Sequence, residues 1–388
     1  MREIKEKLEN ELLGNICPFW NNLKDENFGG FYGATNREHE ILIKSPKGLV
    51  YISRILYSFS CLYKKYKKEE FLKNAQWAYK FLIEKMYDNI YGGFYWSCDY
   101  SGNPLNSNKH IYGQSFALYG LSAYYEITND RKVLSYIFEL VNKISNLLEE
   151  FPKKYTEEFL RDFKPTTNQI MEGHGFIPKI TTNSLLHIAE ALGLCYKVTK
   201  NVLAKTMTIK VLDIIFKYGY DFENANLYQF LDYDLKKQDN IYSYGHNLEV
   251  SWLFKEILDQ CDIHNNDYEK ILIEMFERNF KNSYTGEYVI NENVDGKVDK
   301  SAIWWVQAEA LAALSNMYKL TKNDSYIKSI NNITTFILEK LAIPNKEWYW
   351  SLDENFIPQN DHSIAEMWKA NYHNVRGILR VLEVENGE

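Results

Sequence analysis

Apolar residues recur at three- and four-residue intervals along most of the chain. The stretches that hold this phase predict helices over 2–23, 47–65, 69–87, 111–128, 131–151, 180–199, 201–220, 244–262, 266–282, 300–321, 324–342 and 363–385. From the second onward they fall into pairs. Within a pair the connection is only a few residues long (Tyr66 to Lys68, Asn129 to Asp130, Lys200, Ile263 to Asn265), as antiparallel neighbours require. Between pairs the connections are longer, and Phe28-Gly-Gly-Phe-Tyr-Gly33, Tyr91-Gly-Gly-Phe-Tyr-Trp96 and Thr285-Gly-Glu-Tyr-Val-Ile290 read as short hairpins.

The first helices of successive pairs begin near 47, 111, 180, 244, 300 and 363, which is an internal repeat. The final helix lacks a following partner and the opening one a preceding partner, so the two termini can pair and close a ring. The expected fold is all-α: an (α/α)6 barrel formed by residues 1–388 as a single domain, with short β-hairpins at one mouth. An open solenoid would instead need polar capping repeats, and none stands out.

Composition narrows the class. The 388 residues are 45% hydrophobic and 25% charged with only 8 Pro and 19 Gly, which excludes disordered and collagen-like chains. Lys+Arg 45 against Asp+Glu 52 leaves a net charge of -7 with no basic stripe, which argues against nucleic acid. No run of about 18 apolar residues suggests a membrane span, and the start MREIKEKLENELL lacks the apolar stretch of a signal peptide, so a cytoplasmic protein is expected. Cys17, Cys61, Cys98, Cys195 and Cys261 are scattered without a CxxC pair and read as free thiols. The aromatic share is high: Trp 9, Tyr 30 and Phe 21, or 15% of the chain, more than a core alone calls for, and suited to flat sugar-binding surfaces.

Polar residues interrupt the inner-helix pattern at similar phase: Arg54, Gln114, His187, His246, Glu309 and His373 lie 60, 73, 59, 63 and 64 residues apart. In a closed barrel, equivalent positions on successive inner helices face a common axis. Any one such histidine taken alone reads as a satisfied core residue; three in phase point to a site. His39, His110, His174, His264 and His362 fall in loops or at helix ends, where a structural role is the simpler reading. Three imidazoles can hold a metal, but there is no HExxH and Arg54 would repel a cation, so neither metal nor cofactor is expected. Imidazoles titrating near 6.5 are suited to moving protons at neutral pH, and two on opposite faces of a substrate can take a proton from one face and return one to the other. In Tyr244-Gly-His-Asn-Leu-Glu-Val-Ser-Trp252, His246 and Glu249 lie three apart on one helical face, where the carboxylate can orient the imidazole or hold a hydroxyl. Trp304 and Trp305 read as one core ring and one more exposed ring, and Trp368 lies close to His373 in sequence.

On these residues the chain resembles the N-acylglucosamine 2-epimerase superfamily, and within it the cellobiose 2-epimerases. The likeness runs through Pro18-Phe-Trp20, Phe28 to Gly33, Ser53-Arg-Ile-Leu56, Tyr112 with Gln114, Asn183 to His187, the Tyr-Gly-His segment, Trp304-Trp-Val-Gln-Ala-Glu309, Trp368 and Tyr372-His-Asn374. The resemblance implies an (α/α)6 barrel and metal-free interconversion of glucose and mannose configurations at C2 of a reducing-end sugar, of the cellobiose type. It assigns the C2 proton transfers to His246 and His373. It places Arg54 and His187 on the substrate oxygens and the enediolate, makes Glu249 and Glu309 supporting carboxylates, and makes Tyr112, Asn183, Trp305 and Trp368 sugar contacts. The expected partner is a small sugar, with the protein a monomer or weak homodimer. Departures from the family pattern (Leu185 for a histidine, Asn247 for an aspartate, Ile52 for an asparagine, and the loop from Glu172 to Lys179) raise the prospect of a free monosaccharide or another disaccharide as substrate.

Three rival functions follow from the same residues. An aldose-ketose isomerase shares the enediolate and returns the proton to C1. An inverting glycoside hydrolase would use Glu249 and Glu309 as a carboxylate pair about 6.5–9.5 Å apart. A sugar-binding protein without catalysis would leave His246 and His373 without a role.

Overall fold

Inner helices that are apolar on every side can exist only between other helices, and this chain has several. In the computed structural model, which describes residues 1–172, 175–359 and 362–385, the helices are α1 (Arg2–Glu11), α2 (Cys17–Asn22), α3 (Leu49–Tyr66), α4 (Glu69–Phe81), α5 (Ile111–Thr128), α6 (Lys132–Glu149), α7 (Thr182–Thr199), α8 (Val202–Ile214), α9 (Tyr244–Gln260), α10 (Asn266–Ser283), α11 (Trp304–Thr321), α12 (Ser325–Phe336) and α13 (Tyr372–Leu382). Residues 49–60 of α3, 111–124 of α5 and 184–195 of α7 are buried without interruption. α4, α6 and α10 instead carry the charged residues and bury one stripe each. The fold is therefore mostly helical, with an inner and an outer set.

The inner set packs in sequence: α3 on α5, α5 on α7, α7 on α9, α9 on α11, α11 on α13, and α13 back on α3. α1 packs against α12 and α13, so the two ends of the chain meet. Each inner helix reverses into its outer partner through a very short connection. At Lys67, Asn129, Lys200 and Lys322 a single left-handed residue (φ 55, 53, 55 and 56) caps the helix and accomplishes this.

Short strands tie the repeats together at one end. The residues leading into α3, α5, α7, α9 and α11 pair antiparallel with residues that follow the next outer helix: Lys47–Gly48 with Ser97–Cys98, Lys109–His110 with Glu158–Phe159, Ile180–Thr181 with Phe230–Leu231, Ile241–Ser243 with Glu292–Val294, and Ala302–Ile303 with Ser351–Leu352. The Gly-aromatic runs make antiparallel bridges, Lys24 with Phe31, Tyr87 with Phe94 and Tyr284 with Val289. Buried ion pairs anchor two of them: Lys47 to Asp25 at 2.6 Å and Lys109 to Asp88 at 3.1 Å. A third lysine of this kind, Lys369, donates to the Trp348 carbonyl at 2.6 Å and is attracted by Glu347.

Two sequence expectations need correcting. The last helix begins at Tyr372 and not at 363, because residues before it turn through a Glu366–Lys369 bridge that sends the Lys369 ammonium into the core. Gln114 has the expected depth on α5 but points away from the axis: its amide donates to the Phe94 carbonyl and accepts from the Phe94 N–H, each at 2.8 Å. Gln307 grips Val289 in the same way, at 2.7 and 2.9 Å. Gly93 (φ +63) permits the first clamp, since a Cβ there would lie 2.8 Å from the Gln114 oxygen. All five cysteines are free, and four of them are buried.

Candidate active site

Side chains from all six inner helices meet near the strand-bearing end. Arg54, Tyr112, Asn183, His187, His246, Glu249, Trp305, Trp368 and His373, together with Trp304 and Trp350, line one cavity of about 220 Å³. Glu309, the remaining candidate, lies fully buried just behind it. A smaller cavity of about 190 Å³ adjoins it, shares Asn183 and His246, and is otherwise lined by Ser243, Phe230, Ile241 and Glu292 among others.

The rings form the walls. Trp305 is half-buried, with its centroid 4.9 Å from that of His246 and 5.7 Å from that of His373, so one indole touches both imidazoles. Gly245 makes this possible: a Cβ there would lie 2.4 Å from the Trp305 ring. Trp304, by contrast, is buried and packs on Trp350 with centroids 4.3 Å apart. Across the cavity, Trp368 stands 5.9 Å from Tyr112 and 5.6 Å from Trp96. The Trp368 carbonyl accepts from Arg54 Nη1 at 2.7 Å, and Arg54 Nη2 donates to the Tyr112 hydroxyl at 3.0 Å. The guanidinium is thereby fixed between the Phe116 and Tyr372 rings.

Beneath the cavity lies a buried ionic network that the sequence reading missed. Arg376, one turn beyond His373 on α13, places Nη1 on Glu190 at 2.7 Å and on the Tyr372 hydroxyl, and Nη2 on Glu309 at 2.6 Å and on Glu249. Glu190 is also bonded by His187 Nδ1 at 2.7 Å and by Tyr372 at 2.7 Å, while Glu309 is bonded by His373 Nδ1 and by Trp252 Nε1, at 2.6 and 2.9 Å. One guanidinium thus serves two histidine–carboxylate pairs, and the paired carboxylates hold Nδ1–H so that Nε2 is left as the free nitrogen. A four-residue apolar-helix spacing (Tyr372, Arg376) and a three-residue one (His187, Glu190) were visible as signals, but nothing in the chain said that they converge.

His246 differs. Its Nδ1 lies 2.8 Å from the Ser243 hydroxyl, not on Glu249, which faces Arg376 instead. The expected His246–Glu249 pairing along the helix is therefore replaced by a serine contact.

Burial lowers the proton affinity of both imidazoles that face the cavity. Desolvation followed by the Arg54 charge pushes His373 well below the ordinary histidine range. Desolvation also lowers His246, with Glu249 pulling in the other direction. Burial raises Glu309, whereas at Glu190 the opposing pull of Arg376 and His187 wins and brings the carboxyl down to about 2. Glu249, Glu309 and His373 bring one ligand atom each within 4.8 Å of one another, the spacing of a cation site. The Arg376 guanidinium already bonds both carboxylates, so it supplies the positive charge that a metal would bring.

Three of the departures from the family pattern lie outside the lining of the two cavities. Leu185 and Ile52 are core residues, and Asn247 accepts from the Leu227 N–H at 2.8 Å and bonds Asn226 and Asn279. They line neither cavity, and the fourth departure, the loop from Glu172 to Lys179, lies partly outside the described residues. His110 is structural as anticipated, capping α5 by accepting from the Tyr112 N–H. His174 falls outside the described residues.

The N-acylglucosamine 2-epimerase (GlcNAc 2-epimerase) family model matches residues 30–376. The chain belongs to that family. It is similar to a cellobiose 2-epimerase from Dictyoglomus turgidum, 39% identical over 99% of both chains. The solved cellobiose 2-epimerase of Bacillus thermoamylovorans superposes with a TM-score of 0.94 at 32% identity, covering 99% of this chain and 100% of that one. A D-mannose isomerase from Marinomonas mediterranea is more distant, 24% identical over 92% of this chain and 91% of its own. In this chain the network under the cavity accounts for the burial of Glu190, Glu249 and Glu309, which would otherwise be costly.

Proposed function

We propose that this sugar epimerase, an isomerase by its family, inverts C2 of a reducing-end sugar, interconverting glucose and mannose configurations in a cellobiose-type β-1,4-disaccharide. We also read residues 1–388 as a single catalytic domain closed into an (α/α)6 barrel, which the return of α13 onto α3 and the packing of α1 on α13 support. The observation that carries the reaction is that His246 and His373 face one cavity from different helices, with Trp305 touching both.

The C2 hydrogen is acidic only in the open aldehyde, so ring opening comes first, and His187 is placed to assist it. His373, held neutral by its surroundings and with Nδ1–H on Glu309, takes the C2 proton at Nε2. The electron pair moves to the carbonyl oxygen and the cis-enediolate forms; Arg54 stabilises that oxygen charge. His246 enters this step as the imidazolium; burial lowers its proton affinity against the pull of Glu249, which makes it the readier acid, and it gives its proton to the opposite face and ends neutral. For the reverse substrate the two exchange roles. Asn183, whose Oδ1 has no partner among the described residues, and Tyr112 are available for sugar hydroxyls, and Trp305 and Trp368 offer stacking faces. The adjoining cavity that shares Asn183 and His246 gives room for the second sugar ring.

Incubation with cellobiose in deuterated solvent should yield the mannose-configured epimer carrying deuterium at C2. The isomerase reading gains from the likeness to a D-mannose isomerase and predicts a ketose product instead. The glycosidase reading loses ground, because Glu249 and Glu309 bring ligand oxygens within 4.8 Å of each other, closer than the roughly 6.5–9.5 Å an attacking water needs. Neither turnover nor deuterium uptake with cellobiose, glucose or mannose would refute the epimerase and the isomerase alike.

A further inference from the structure

Tyr112 and Asn183 hold the same place on neighbouring inner helices. Each is the second residue of its helix, α5 and α7 respectively, and each lines the cavity. The Asn183 side chain also reaches the Tyr112 hydroxyl. Their spacing across the cavity therefore depends on how the first turns of α5 and α7 are set.

Those two helix starts are built unlike the others. Of the six inner helices, only α5 and α7 have a side-chain cap among the described residues: His110 Nδ1 accepts from the Tyr112 N–H at 3.1 Å, and the Thr181 hydroxyl accepts from the Ser184 N–H at 3.1 Å. A buried bridge joins the two caps. His110 Nε2 donates to Asn168 Oδ1 at 3.0 Å, and Asn168 Nδ2 donates to the Glu157 carboxylate at 2.9 Å. That carboxylate also accepts from the Thr181 N–H at 2.7 Å and from the Thr181 and Ser184 hydroxyls at 2.9 and 3.0 Å. The Glu157 carbonyl takes the N–H of Ile111, the first residue of α5, at 2.8 Å. Every member of the bridge is buried.

Its direction follows from the donors. A carboxylate only accepts, so Asn168 turns its NH2 to Glu157 and its oxygen to His110; the ring then carries its proton on Nε2 and leaves Nδ1 for the cap. Burial brings His110 down to about 4 and so keeps it neutral. Asp25 and Asp88 face lysines at the earlier gaps. Here Ile180 takes the strand position of Lys47 and Lys109, and Glu157 turns its charge to the positive end of α7 instead.

We propose that Glu157 is a positioning residue for the reaction: through Asn168 and the two caps it fixes Tyr112 and Asn183 at the separation that the substrate hydroxyls require. This rests on the reading of those two side chains as sugar contacts. Glu157 lines neither cavity, so it acts through them.

Cellobiitol and D-glucitol are suitable probes, since neither has a carbonyl and neither can undergo the reaction. Glu157→Gln keeps the shape but puts an amide where one carboxylate oxygen accepted, so buried donors meet a donor. Burial raises the Glu157 carboxyl to about 7 against the pull of its donors, so titrations near pH 8 find it ionised. Calorimetry of the full chain should show alditol binding weakened about tenfold in Glu157→Gln, which is about 1.4 kcal/mol. With cellobiose, KM should rise by a similar factor while kcat stays within about threefold, the pattern of binding lost equally from ground and transition states. A scaffold role alone would lower the unfolding midpoint and leave Kd and KM of the folded protein unchanged; that result overturns the proposal. If Glu157→Gln does not fold, Asn168→Ala decides, because it cuts the bridge but leaves the carboxylate on Thr181 and Ser184. It should weaken alditol binding about threefold, in line with one lost hydrogen bond, and unchanged affinity overturns the proposal. A wild type that turns over no sugar, yet binds an alditol that Glu157→Gln weakens, would sink the epimerase reading and leave the positioning role standing. Full turnover with unchanged affinity in the variant does the reverse, and no binding of either alditol to the wild type overturns both.

Discussion

His373 and His246 face the same cavity but are held in opposite ways. His373 is backed by a buried carboxylate that is itself bonded to Arg376 and Trp252, so its Nδ1–H is fixed and its ring is part of a rigid ionic network. His246 is backed only by the Ser243 hydroxyl, which can donate or accept, and it also touches the adjoining cavity. One imidazole is locked into a single tautomer; the other can follow a change of protonation. An epimerase that must run both ways through two bases gains from having one of each kind, because the same pair has to start in either protonation state.

The sharpest way to break this comparison is to remove each imidazole. His373→Ala and His246→Ala should each lower kcat by about 10³-fold, within the range of a lost general acid or base, and should abolish exchange of the C2 hydrogen with deuterated solvent while circular dichroism stays native. If either variant exchanges at the wild-type rate, the proton-transfer assignment falls.

The next effect is on stability, and only on the carboxylate side. Arg376→Met leaves Glu190, Glu249 and Glu309 without their shared cation and should cost about 3–5 kcal/mol, read from the midpoint of urea unfolding. A midpoint within error of wild type would show that the network is not held together by that guanidinium.

Smaller changes test the backing groups themselves. Glu309→Gln keeps the shape but removes the charge behind His373 and should reduce kcat about 10²-fold, comparable with other orienting partners of active-site histidines. Ser243→Ala should reduce it less than about tenfold, since a neutral hydroxyl contributes only about 1 kcal/mol. Equal losses in the two variants would erase the asymmetry.

The smallest expected effect is on the pH dependence of folding. The native pKa of His373 lies below the unfolded value of about 6.5, so the unfolded chain binds more protons and stability rises with pH across that window. Conversely, stability is lost as the pH falls below about 6.5 toward the native value, and His373→Gln should flatten that loss in unfolding curves taken from pH 7 to 5. A steeper loss in the variant would mean that His373 is charged in the native state.

Much of this arrangement was legible along the chain. The three- and four-residue periodicity located the inner and outer helices, because a buried helix must be apolar on a face that repeats with its turn. The repeat spacing placed Arg54, His187, His246 and His373 at one level, and they do line one cavity. Where spacing alone was followed it also misled: Gln114 has the right phase but clamps the Phe94 backbone, because phase along a repeat says nothing about rotation of a side chain toward or away from the axis. The pairing of His246 with Glu249 failed for a related reason. Two residues on one helical face are neighbours, but Glu249 is drawn to the stronger charge of Arg376, which arrives from α13.

The sequence by itself determined the helical architecture, the kinship, and most of the residues that line the cavity, since those depend on local periodicity and on short motifs. Only the tertiary structure decided which carboxylate backs which histidine and that Arg376 binds three carboxylates at once. Apart from His187 with Glu190, those contacts join residues 64 to 186 positions apart, from His373 with Glu309 to Arg376 with Glu190, and their partners are chosen by distance and desolvation in the folded core, which no local pattern encodes.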